Sequence, residues 1–202
     1  MRNFIKENIR MSILPKQRML EDEKFIGDIF EISCKVIEAY KNGKKVLLFG
    51  NGGSAADAQH IAGELVSKFR LNRLSLPAIA LTTDTSILTS IGNDFGYEHV
   101  FEKQVEGLAE KGDVVIGIST SGNSPNVSLA FKAAREKGAY VIALLGKDGG
   151  ENKKYAHKPL IVPSDDTPRI QESHILIGHI ICDITEKALF GENKEYEQSC
   201  VS

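Results

Sequence analysis

Residues 50–65 read GNGGSAADAQHIAGEL, and within them His60 and Glu64 stand one helical turn apart, directly behind a cluster of glycines. Ala55, Ala58, Ile61, Ala62, Leu65, Val66 and Phe69 recur at helical spacing, which leaves Asp57, His60, Glu64 and Lys68 together on the other face. An imidazole and a carboxylate so placed can do acid–base work. They can equally belong to a solvated polar stripe with an ordinary i,i+4 pair. The stripe becomes a site only if the loop of Gly50, Gly52 and Gly53, with Ser54 as helix cap, meets an anionic ligand and further chemistry lies elsewhere in the chain.

Both conditions have candidates. A buried strand over 114–118 runs into Ser119, Thr120, Ser121, Gly122, Asn123 and Ser124, and Pro125 then opens a helix. Hydroxyls and free backbone N–H groups converge there on a helix N-terminus, where the macrodipole also favours negative charge. The loop has no lysine, so it suits a phosphomonoester held by neutral donors. The segment SIGNDFG adds Asn93 and Asp94, which can hydrogen-bond sugar hydroxyls. Near the C-terminus the strongly polar candidates are Gln171, Glu172, His174, His179 and Asp183. Each alone is more often a satisfied core group or an interface residue. A histidine among isoleucines is nevertheless costly to keep without a partner.

The elements that must position these residues follow from hydrophobic pattern. Short apolar runs at 45–49, 78–82, 113–118, 140–145 and 159–162 read as strands, alternating with helices near 54–69, 85–92, 97–106 and 125–137. That rhythm predicts βαβ units and a parallel sheet, an α/β fold. Residues 3 to about 42 read as helical and end at KNGKK. The segment 167–189, with Thr167 as cap and Pro168 at the first helical position, is apolar on most sides and is expected to be buried against another subunit. Ligands of open parallel sheets bind beyond the carboxyl ends of the strands, where residues 50–54, 83–94 and 119–124 are expected.

GNGGSA also satisfies a variant of the dinucleotide fingerprint. Against that reading, the next strand ends near Asp84, well beyond the ~20-residue spacing of the ribose-binding acid. No Gly-Lys-Ser/Thr occurs, which removes a Walker loop.

At 202 residues with a formal charge of −2, the chain suits one α/β domain with an appendage, and no basic tract marks a nucleic-acid or membrane partner. Cys34, Cys182 and Cys200 are widely spaced without a C-x-x-C, which fits neither a disulfide framework nor a thiolate metal site and points to a reducing cytoplasm. The N-terminal stretch carries charges throughout and does not read as a secretory signal. No run approaches the ~18 apolar residues of a membrane span.

The ordered motifs GNGGSAADAQHIAGEL, SIGNDFGYEHVF, GISTSGNSPNV, GKDGG and DDTPRIQESHILIGHIICDITE resemble the sugar isomerase (SIS) domain of the phosphoheptose isomerase family, over about 45–189. The resemblance implies a three-layer SIS-type sandwich with a central five-stranded parallel sheet. It divides the chain into a helical oligomerisation region (1–43), the SIS domain (44–190) and a polar tail (191–202). It implies interconversion of sedoheptulose 7-phosphate and D-glycero-D-manno-heptose 7-phosphate through an enediol, the first step toward ADP- or GDP-heptose for lipopolysaccharide or capsule. By the same resemblance Glu64 is the base and His179 the acid, and one zinc ion per subunit is bound by His60, Glu64, Gln171 and His179. The implied substrate contacts are Asn51, Gly52, Gly53, Glu64, Asn93, Asp94, Ser119, Thr120, Ser121, Ser124 and Gln171. A homotetramer with active sites between subunits is implied as well. Gln171 and His179 are ~12 Å apart along a straight helix, so both reach one ion only with extended side chains, a bent helix start or help from a second subunit. The rival is a non-catalytic SIS protein that binds a replication initiator or senses a sugar phosphate; the presence of both Glu64 and His179 favours the enzyme.

Overall fold

Five parallel strands form the centre of the protein in the computed structural model, which describes residues 1–192 and residue 200. They are β1 (Val46–Gly50), β2 (Ala78–Ala80), β3 (Val114–Ser119), β4 (Tyr140–Leu145) and β5 (Lys158–Ile161), in the spatial order β2-β1-β3-β4-β5. In register, Val46 lies opposite Val114, and Val114 opposite Tyr140. Every residue of β1 and β3 is buried, because helices cover both faces of the sheet.

Side chains that alternate along each strand feed two separate cores. Val46, Leu48, Ile116, Ile118, Ile142 and Leu144 pack under α2 (Glu23–Lys41), α3 (Gly53–Val66) and α7 (Thr167–Phe190). Leu47, Phe49, Val115, Val141 and Ala143 face α5 (Glu102–Leu108) and α6 (Pro125–Glu136), with Ile91 of α4 (Thr85–Asp94) joining them. Phe49 stacks on Phe101 at 5.1 Å between ring centroids. The architecture is the α/β sandwich that the strand-helix rhythm implies.

The strand order locates a crevice. From β1 the chain moves to the β2 edge, and from β3 it moves the other way to β4 and β5, so the direction reverses between the neighbours β1 and β3. Beyond the carboxyl ends of two such strands, loops diverge and leave room for a ligand. The glycine loop and the serine loop are the two that begin there.

Local details differ from the sequence expectations for identifiable reasons. The N-terminal helical stretch divides at Asp22 into α1 (Arg2–Glu21) and α2, and the Asp22 carboxylate caps α2 by accepting from Phe25 N at 3.1 Å. Helix α3 stops at Val66, short of 69, because buried Glu186 accepts from the backbone N–H groups of Phe69, Arg70 and Leu71. The helix expected over 97–106 is a 3-10 turn, Tyr97–His99, followed by α5. Gly52, not Ser54, caps α3, and Asp166, not Thr167, precedes α7.

The cysteine expectation is corrected. Cys34 of α2 and Cys200 are joined in a disulfide with Cα atoms 5.3 Å apart, across a sequence separation of 166 that spacing rules cannot see. Cys182 remains a thiol, pushed up to about 12 by burial and so inert. Of the expected polar tail, 193–199 and 201–202 lie outside the described residues. No helix among the described residues is long and apolar enough to cross a membrane.

Candidate active site

Helices α3 and α7 approach closely because Gly178 has no side chain: a Cβ there would collide with Ile61. That contact sets His179 beside the polar face of α3. His60 Nε2 lies 3.1 Å from Glu64 Oε1 and 3.4 Å from His179 Nε2, and the two imidazoles meet edge-on with centroids 5.0 Å apart. One donor atom from each of the three lies within 4.8 Å of the others. Two imidazole nitrogens and a carboxylate oxygen converging at this spacing are a donor set suited to zinc, so the residues fit a divalent metal. The cluster is partly open to solvent: His60 is exposed, Glu64 and His179 half-buried. Phe69 lies against His179 at 5.5 Å.

Gln171, the fourth implied ligand, sits elsewhere on α7. Its side-chain amide packs against Gly53 at the first turn of α3, where a Cβ would strike the amide nitrogen. His60 and His179 lie about two turns farther along their helices. Three of the four implied ligands therefore meet in one chain, and Gln171 faces the glycine loop. Gly52 adopts φ +56°, the left-handed region that glycine enters without strain, and this turns the chain from β1 into α3.

Across the crevice, Ser119 Oγ is 3.1 Å from Ser124 Oγ and accepts from Gly122 N at 3.2 Å, so the serine loop curls over the start of α6. Ser124 occupies the cap position of α6 but makes no side-chain capping bond, so its hydroxyl does not satisfy the N-terminal amides of the helix. Ser121 and Thr120 are half-buried on the same turn. The loop is supported from behind: Asn152 N donates to Gly122 O at 2.7 Å, and Glu151 N to Asn123 Oδ1 at 3.0 Å. Asn93 and Asp94, exposed at the end of α4, bond to each other at 2.8 Å. Tyr97, close behind them, donates its hydroxyl to Asn51 Oδ1 at 3.0 Å and so brings this segment to the glycine loop.

The other polar candidates have local partners. His174 is fully buried and donates Nε2 to the Leu145 carbonyl at 2.9 Å. Glu172 pairs with Arg169 at 2.8 Å, and Asp183 with Lys187 at 3.1 Å. Asp57 is half-buried, and burial holds its carboxyl above the ordinary carboxylate range against the opposing pull of His60. A cavity of about 610 Å³ lined by Lys35, Lys111, Arg135 and His157 lies at the opposite end of β3 and β4 and includes none of the candidate site residues. Residue types alone did not single out Phe69, Tyr97, Asn126, Arg73 or Glu186. Arg73 pairs with Glu186 at 2.9 Å and donates to the Glu64 carbonyl at 2.8 Å, pinning the end of α3 below the cluster. Only the fold brings these groups together.

A five-stranded parallel sheet with its crevice between β1 and β3, a serine-rich turn on one side and a His-Glu-His cluster on the other, is the arrangement of an α/β sandwich of the SIS type. A family model described as the SIS domain matches residues 19–146, and the chain belongs to the SIS domain family. Its relatives are specific. Phosphoheptose isomerase from Clostridium acetobutylicum is 65% identical over 192 residues, covering 95% of this chain and 98% of that protein. The Sulfurimonas denitrificans phosphoheptose isomerase is 57% identical with the same coverage. A solved phosphoheptose isomerase from Neisseria gonorrhoeae aligns with a TM-score of 0.87 at 44% identity, covering 92% of this chain and 98% of that one. The chain is an enzyme, an aldose–ketose isomerase.

Proposed function

We propose that the enzyme interconverts sedoheptulose 7-phosphate and D-glycero-D-manno-heptose 7-phosphate, as the names of its relatives suggest, and supplies heptose for lipopolysaccharide or capsule. The single observation that carries this reading is the convergence of His60, Glu64 and His179, and the serine loop at the uncapped start of α6 supports it. A protein that only senses a sugar phosphate needs the loop and not the cluster.

The chemistry moves one proton and one pair of electrons between neighbouring carbons. Glu64 takes the proton from C1 of the ketose, the C–H pair becomes the C1–C2 double bond, and the C2 carbonyl oxygen gains a proton from His179 to give the enediol. In the second half His179, left without its proton, takes the one on the O1 hydroxyl, the C1 carbonyl forms, and the double-bond pair takes a proton from Glu64 at C2, which returns both groups to their starting states. No outside oxidant enters. Each proton-transfer group contributes ~10²–10⁴ in rate. A zinc ion held by His60, Glu64 and His179 would supply Lewis-acid polarisation of the carbonyl oxygen in place of the His179 proton, because the Nε2 atom that faces the cluster cannot bind the ion and carry a proton at once. Ser119, Thr120, Ser121 and Ser124 hold the phosphate, and Asn51, Gly52, Gly53, Asn93, Asp94 and Gln171 hold the sugar.

The same reading makes residues 1–43 an assembly region within a homotetramer. Phe4 at 70% exposure and Leu20 at 72% on α1 support it, since exposed apolar residues along one helix favour burial by another copy. The setting is cytoplasmic, where the Cys34–Cys200 bond, remote from the cluster in sequence and contributing no site residue, would face reduction. Incubation with sedoheptulose 7-phosphate, before and after chelation and after zinc restoration, tests the function. Aldoheptose phosphate should form, stop with chelation and return with metal. No product with fully metallated protein would overturn the substrate assignment.

A further inference from the structure

Asn126 is 2% exposed and has no part in the chemistry above, yet its side chain is committed to the glycine loop. Asn51 Nδ2 donates to Asn126 Oδ1 at 2.9 Å, and Asn126 Nδ2 donates back to Asn51 Oδ1 at 2.8 Å. The Tyr97 hydroxyl donates to the same Asn51 oxygen at 3.0 Å. Three segments meet in these bonds: the turn after β1, the turn that follows Asn93 and Asp94, and the first turn of α6 directly behind the serine loop.

Strand pairing holds the two sides of the crevice in register only as far as Gly50 opposite Ile118. Past that point the chain from β1 departs into α3, which carries Glu64, and the chain from β3 departs into α6, which takes the phosphate. A reciprocal amide pair fixes both separation and orientation, because two antiparallel N–H···O bonds allow neither side chain to rotate alone. Its burial makes that constraint firm, since an unpaired amide there would lose its solvation without replacement.

We propose that Asn126 and Tyr97 are positioning residues that couple the phosphate loop to the catalytic seam through Asn51, so that a phosphate anchored at α6 places C1 and C2 against Glu64. The proposal rests on the reading of residues 119–124 as the phosphate loop. Misplacement of a reacting atom by about 1 Å can cost about 10²-fold in rate, which sets the expected scale.

The test combines kinetics with amide hydrogen exchange, using inorganic phosphate as the probe on wild type, Asn126→Leu and Tyr97→Phe. In wild type, phosphate should slow exchange both at 119–128 and at 50–66. In Asn126→Leu the protection at 119–128 should persist and that at 50–66 should vanish. Turnover should then fall about 10²-fold with KM within about threefold, the signature of lost alignment and not of lost binding. Tyr97→Phe, at an exposed position that a folding defect would not involve, should show the same pattern with a loss of about tenfold. The double variant should be little worse than Asn126→Leu, because both act through one oxygen. Equal spread of protection in wild type and variants, or loss of activity that follows melting temperature, overturns the coupling. Absence of phosphate protection at 119–128 in wild type overturns the phosphate loop itself and the coupling with it.

Discussion

Helix α7 touches the sheet on one side and α3 on the other, and it presents a histidine to each. Toward the sheet, His174 is wholly buried, donates Nε2 to the Leu145 carbonyl at the end of β4, and leaves Nδ1 buried without a partner. Burial therefore pushes its pKa down to about 4, with the Leu145 bond opposing only in part, and the ring stays neutral. Toward α3, His179 is half-buried, meets His60 edge-on and has Phe69 beside it. One ring completes the carbonyl hydrogen bonding of a strand end; the other lies in the cluster with His60 and Glu64. The residue type is the same, and the face of the helix decides the role.

The contrast predicts that damage to the two faces will register in different measurements. The largest effect belongs to the α3 face. Glu64→Gln and His179→Asn should each lower turnover by at least ~10², the lower end for a proton-transfer group, with the melting temperature nearly unchanged. The decisive readout for Glu64→Gln is exchange of the C1 or C2 hydrogens of the substrate with solvent. Exchange at the wild-type rate would remove Glu64 from the base role. If His179→Asn instead unfolded the protein, the two histidines would not be distinguished by face at all.

The next effect belongs to the sheet face. His174→Ala removes a fully buried ring and leaves the Leu145 carbonyl without its donor, so unfolding free energy should fall by about 2–4 kcal/mol. Turnover per folded molecule should stay within about threefold of wild type. Urea unfolding and active-site titration on the same sample separate the two quantities, and a large loss of turnover in the folded fraction would merge the roles.

How much of this was legible beforehand depends on distance along the chain. Strands β1 and β3 were readable because burial on both faces leaves unbroken apolar runs, Val46–Phe49 and Val114–Ile118. The His60–Glu64 pair was readable because helical spacing alone puts the two together. His174 and His179 were not separable by residue type, since both interrupt an isoleucine-rich run and only the packing of α7 between sheet and α3 sorts them; the family resemblance alone favoured His179. Contacts that close after folding left no local trace: Asn51 and Asn126 are 75 positions apart, and Phe69 and Glu186 are 117 apart. The early end of α3 belongs to the same class, because helical pattern continues to Phe69 while the Glu186 carboxylate draws those amides away.

The smallest effect per unit change is the pH dependence that follows from the sheet-facing histidine. An unfolded His174 takes its proton near pH 6.5, whereas the folded one does so only near 4, so below pH 6.5 the unfolded chain binds the extra proton first. The sign is thereby fixed: the contribution to stability is fully present above about pH 6.5 and is lost as pH falls toward 4, at no more than ~1.4 kcal/mol per pH unit. Glu186, whose carboxyl is held low by the backbone N–H groups of Leu71, Arg70 and Phe69 and by Arg73 in spite of burial, acts in the same direction but at lower pH, below the ordinary carboxylate range. Subtracting the urea-unfolding curve of His174→Gln, which cannot titrate, from that of wild type isolates the histidine. The difference should be flat from pH 8 to 7 and slope between about 6.5 and 4, accumulating roughly 3 kcal/mol. Parallel curves through that window would mean that His174 is charged or solvated in the native state, and the distinction between the two faces of α7 would then rest on position alone.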